Sequence, residues 1–116
     1  MTEIMEKCAE LGRELRRIGY DDRAVLAVDV MSGLAGVNLL QRTRNREVVY
    51  ARYIVAHLLR KEGMPMDRVT SALRIDRCTV IHGVQQIDTI LKSKLVMDIP
   101  MQNLYQSFKA IMTNEN

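Results

Sequence analysis

Apolar side chains along this chain recur at steps of three and four rather than two, so the pattern predicts helices and no strands. Ile4, Cys8, Leu11, Leu15 and Ile18 put a narrow apolar stripe on a helix over 2–18. Two heptads are too few for a stable coiled coil alone. The stripe therefore lies on the body of the domain or, as the competing expectation, pairs two chains. Gly19 closes this helix and Asp21 or Asp22 caps the next, which spans 22–31, is apolar on more than one face and stops at Ser32-Gly33. A short helical turn around Val37 to Leu40 follows.

The second half of the chain reads as four helices. Asn45 caps a long one running to about Glu62, with Val48 or Val49, Ala51, Val55, Leu58 and Leu59 on its inner side, and Gly63-Met64-Pro65 ends it. Asp67 caps a short helix with Val69, Ala72 and Leu73 inward. After a tight turn at Arg74-Ile75, Asp76 caps a longer one on which Val80, Val84, Ile87 and Leu91 recur. Arg77, Thr79 and Gln85 or Gln86 are left to face elsewhere. Pro100 suits the first turn of a closing helix whose stripe is Met101, Leu104 or Tyr105, Phe108 and Ile111. The fold expected is all-α.

Composition narrows the class without naming a function. In 116 residues, 47% are hydrophobic and 27% charged, with two prolines and six glycines, the balance of one folded domain. No run approaches the roughly 18 apolar residues that cross a bilayer, and Met1 to Lys7 carry no apolar signal region. The two cysteines, Cys8 and Cys78, lack a CxxC spacing, so neither a disulfide framework nor a zinc module is indicated. A reduced, cytoplasmic protein is expected, with no membrane partner.

The net charge of +3 matters less than its distribution. From Arg42 to Lys61 there are six basic side chains against one acid, Glu47. Within that stretch, Gln41 to Arg46 has arginines on alternate positions and nothing to bury, so it is solvated or lies on a phosphate. Met66 to Gln86, a short helix, a tight turn and a helix opening with small and basic residues, is the helix-turn-helix arrangement. Its second helix can enter a DNA major groove by its N-terminus. There Arg77 can donate to guanine, Asp76 accept from cytosine, and Cys78 or the Thr79 methyl touch a thymine methyl. Asp76 has the plainer reading of an N-cap, and Cys78 that of a small packing residue.

These segments resemble the C-terminal DNA-binding domain of the bacterial replication initiator DnaA, over about Asp22 to Met112. That family has a basic loop before a long helix, matched by Arg42-Thr43-Arg44-Asn45-Arg46 and by Glu47 to Glu62 with its Ala51-Arg52 step. Its helix-turn-helix reads Ala-Phe-Gly-Gly-Arg-Asp-His-Ser/Thr-Thr-Val-Leu-His-Ala. This chain has Ala72-Leu73-Arg74-Ile75-Asp76-Arg77-Cys78-Thr79-Val80-Ile81-His82-Gly83, with a turn one residue shorter and free of glycine. A generic regulator turn, Ala-Leu-Gly-Ile-Ser-Arg-Ser-Thr-Val, is also similar, with Arg74 where glycine is usual.

The resemblance implies a Trp-repressor-like fold, residues 21–116, preceded by an extra amphipathic helix, residues 1–20. It implies double-stranded DNA as partner. Asp76, Arg77 and Cys78 take base-reading places, Thr79 and Arg52 backbone-contacting ones, and Arg44 a minor-groove one. Arg42 and Arg46 join them as phosphate or minor-groove contacts. The GxxxxGK[ST] phosphate loop of a full initiator is missing from this sequence, so no ATPase activity, nucleotide or other cofactor is expected. A regulator of transcription or an accessory factor binding a replication origin, from a bacterium or phage, fits.

Enzyme and metal readings are weaker. His57 falls on the apolar stretch Val55 to Leu59 and is expected to be partly buried or to face a phosphate. Cys78 and His82 share a helix face, but two more ligands would have to come from distant elements. No nucleophile with its base stands at informative spacing. The contrasting hypothesis is a helical protein-interaction or dimerisation module whose DNA-reading function has lapsed.

Overall fold

The computed structural model describes residues 20–113, with side chains from Arg23 onward; the helix expected over 2–18 lies outside the described residues. Five α-helices follow in order: α1 Tyr20–Ala35, α2 Arg46–Lys61, α3 Met66–Leu73, α4 Arg77–Lys92 and α5 Ile99–Thr113, the last entered through a 3-10 turn at Val96–Asp98. There is no strand among the described residues, and the fold is all-α. No helix among them is long and apolar enough to cross a membrane.

Helix α2 is the hub. Every residue from Ile54 to Leu59 is buried, so this stretch is enclosed on all sides rather than along a stripe. It packs against α1, α3 and α4, while α5 closes over α1 with Tyr105, Phe108, Ile111 and Met112 inward. Helices α2 and α4 come close together at Gly83. A Cβ added at Gly83 would lie 2.3 Å from Cδ1 and 2.7 Å from Cγ of Tyr53, so only a residue without one lets the ring sit there.

Polar bonds fix the helix ends. Asn45 accepts the Glu47 N–H, and the Gly63 and Met64 N–H groups bond back to the Arg60 and Leu59 carbonyls, a Schellman ending that needs the φ of 91° at Gly63. Arg23 forks onto the Glu62 carboxylate at 3.0 and 2.5 Å and reaches the Met112 carbonyl at 3.0 Å, joining the start of α1 to the ends of α2 and α5. The Gln102 side-chain amide donates to the Ile90 and Ser93 carbonyls and so closes the end of α4.

Three expectations from the sequence are corrected. The helix expected over 22–31 runs on to Ala35 and holds Asp21 and Asp22 inside it, because Leu34 and Ala35 pack on the core; Gly36, at φ 68°, ends it instead of Ser32-Gly33. The segment Val37 to Leu40 forms turns, not a helix, pinned by the buried Leu39 side chain and by the Leu39 N–H on Ser32 Oγ at 3.4 Å. Asp67 lies in the first turn of α3 rather than capping it, since Pro65 occupies the cap position with its fixed φ of −58°.

Candidate nucleic-acid interface

Helix α3 stops because Arg74 turns left-handed, at φ 56° and ψ 40°, and sends its N–H to the Thr70 carbonyl, which also receives the Ile75 N–H at 3.3 Å. Two residues later Asp76, in extended backbone, starts α4. Its Oδ1 accepts the Thr79 N–H at 2.6 Å, and hydrogen bonds from the Thr79 hydroxyl and then from that N–H hold the Asp76 carboxyl below its ordinary range. Asp76, Arg77 and Cys78 are exposed and Thr79 is half-buried, while Val80 one residue on is fully buried. The side chains expected at the base edges therefore lie at the solvent end of a helix whose next turn is anchored in the core.

The arginine loop is held in shape from beneath. Arg52 of α2 donates from Nε to the Leu39 carbonyl at 2.5 Å and from a terminal nitrogen to the Gln41 carbonyl. Asn38 Oδ1 accepts the Leu40 N–H and Thr43 Oγ1 accepts the Asn45 N–H, each at 3.1 Å. With its backbone so restrained, the loop exposes Arg42 and Arg44. Together with Arg52 and with Leu73 and Arg74 of the α3 end, they line an open groove of about 900 Å³, to which no described acidic residue contributes. Its charged lining groups are all guanidiniums, which suits an anion.

The structure separates residues that look alike in sequence. Arg42 and Arg44 share the groove, but Arg46 lines a separate depression with Met97, Pro100 and Met101, its guanidinium 5.2 Å from the centre of the Tyr50 ring. Arg52 contributes charge while its hydrogen-bonding fork is occupied by the loop. Arg77 stands on the first turn of α4 and does not line the groove; Arg74, read from sequence only as a turn residue, does. The one available signal was an arginine at a turn position where glycine is usual.

His57 is buried, at 6% exposure, in line with the first of the two readings expected for it. Its Nε2 is 2.6 Å from Asp88 and its Nδ1 2.9 Å from the Tyr105 hydroxyl, so the ring bolts α2 to α4 and α5. Burial, then the nearby charges of Asp88 and Glu62, push the Tyr105 phenol above its ordinary pKa. His82 meets the Tyr53 ring edge-on. Among the described residues no group of three or more His, Cys, Asp or Glu side chains is arranged to hold a metal ion.

No protein-family model matches the chain, and no curated protein or solved structure is significantly similar to it.

Proposed function

We propose that this chain binds double-stranded DNA through α3 and α4, used as a Trp-repressor-like helix-turn-helix with the first turn of α4 in the major groove. The observation that carries the reading is the groove in which the loop guanidiniums of Arg42 and Arg44 meet the turn after α3. Arg74, two residues before Asp76, also lines this groove, which supports pairing a backbone grip there with base readout by the exposed Asp76, Arg77 and Cys78, as duplex recognition needs. Arg77 reads a base edge, Arg42 and Arg44 hold the backbone or minor groove, and Arg52 adds charge from beneath. Arg46 serves as a flanking contact. Such a protein occupies sites without hydrolysing nucleotide, as a transcriptional regulator or as an accessory factor at a replication origin, in the cytoplasm of a bacterial cell.

The test is selection of bound duplexes from a random library at two salt concentrations. An enriched motif is expected. Arg77→Ala should cost ~1–3 kcal/mol and relax preference at one base, whereas Arg44→Ala should weaken all duplexes and lower the salt slope by about 1. Paired half-sites would point to a dimer formed through the 2–18 stripe.

A second reading, an interaction module, draws on Leu95, Val96, Met97 and Ile99, large apolar side chains left exposed around the 3-10 turn. It predicts self-association, measurable by sedimentation, that Arg44→Ala and Arg77→Ala leave unchanged, and a library that yields no motif.

A further inference from the structure

Helices α2 and α3 end alike in backbone and unlike in sequence. Each stops on a residue of positive φ, Gly63 at 91° and Arg74 at 56°. Glycine enters that region freely because it has no Cβ, whereas a side chain there crowds a neighbouring carbonyl. Arg74 is the one non-glycine residue with positive φ among the described residues. Its backbone bond to the Thr70 carbonyl would form equally well from glycine. The side chain is exposed, and it lines the groove with Arg42 and Arg44 rather than packing in the core. A strained position occupied by a long cation that the fold does not use is an observation that points to a ligand.

We propose that Arg74 contacts the ligand directly, its guanidinium taking a phosphodiester oxygen of duplex DNA in that groove, so that the turn ahead of α4 grips the backbone while α4 reads bases. The proposal rests on the duplex-binding reading above. A phosphate is the fitting partner because the guanidinium fork matches its oxygens. Arg74 also precedes the cap Asp76, behind the helix end that would meet the bases, and the charged residues lining the groove are all arginines.

The decisive variant is Arg74→Gly, which removes the side chain and suits the backbone. Its thermal midpoint should equal or exceed that of the wild type, while duplex affinity falls about tenfold, the size of one charge-assisted hydrogen bond, and the log–log salt slope drops by about one. Base preferences in the selected library should not change. Arg74→Lys, with the charge but not the fork, should fall between the two. Unchanged affinity in Arg74→Gly would overturn this inference alone, and a loss confined to one base position would replace phosphate contact by base reading. Tighter binding of an RNA duplex of the same sequence would overturn the assignment to DNA. A wild-type chain that binds no duplex would overturn the DNA-binding reading itself, and this inference with it.

Discussion

The first turn of α4 and its middle turns belong to one helix and answer to different constraints. From Asp76 to Cys78 the side chains are exposed, and among the described residues the bonding of their side chains is the Asp76 cap onto Thr79. Further along, Val80, Gly83 and Ile87 are buried, Tyr53 fills the space over Gly83, and Asp88 is tied to His57. The inner turns set where the helix lies, and the outer turn is left free to be shaped by what it touches. Substitutions in the middle should therefore change stability most, and substitutions at the start should change it least.

The largest stability effect is expected at Gly83. Gly83→Ala forces a Cβ into the Tyr53 ring, at a cost of ~1–3 kcal/mol that the better helix propensity of alanine offsets by about 1. Chemical denaturation should show a net loss of up to about 2 kcal/mol. In a Tyr53→Ala background the same change should stabilise, and a loss that persisted there would sever the link between the two positions.

Tyr105→Phe comes next. Removing the hydroxyl beside His57 should lower stability by about 1 kcal/mol at neutral pH. Because the folded-state pKa is raised, the tyrosine's contribution is complete below about pH 10, the ordinary phenol value, and is lost as pH climbs through the folded value. The wild type should thus lose its advantage over Tyr105→Phe in alkali, and parallel stability curves would contradict the burial argument.

The smallest effect belongs to the outer turn. Asp76 has a lowered folded-state pKa, so its cap is intact above the ordinary carboxylate range and loosens as pH falls through the folded value. The protection factor of the Thr79 amide, its exchange corrected for the intrinsic pH dependence, should fall in acid, and much less so in Asp76→Asn, which caps without titrating. An acid response of equal size in both proteins would assign the change to another group.

What the sequence makes legible follows the range of the interaction. Asn45 and Asp76 cap as expected because each bond closes within three residues, and Val80 and Ile87 are buried as their spacing requires. The end of α1 was hidden because Leu34 and Ala35 gain partners from elements far along the chain, which outweigh the local stop signal of Ser32-Gly33. Within the site, alternation in Arg42, Arg44 and Arg46 gives no sign that the third turns to Tyr50, since that ring lies on the next helix. Arg52 resembles any other surface cation until the Leu39 and Gln41 carbonyls come into view.

That hold on the loop bears on how quickly and selectively an anion can be recognised. A free loop gives up about 1–2 kcal/mol of backbone freedom for every residue that a ligand orders. Here several residues are restrained before anything arrives, so the arriving molecule meets a mould rather than a chain that must wrap around it. Crude shape mismatch in an anion should then be rejected at the encounter itself.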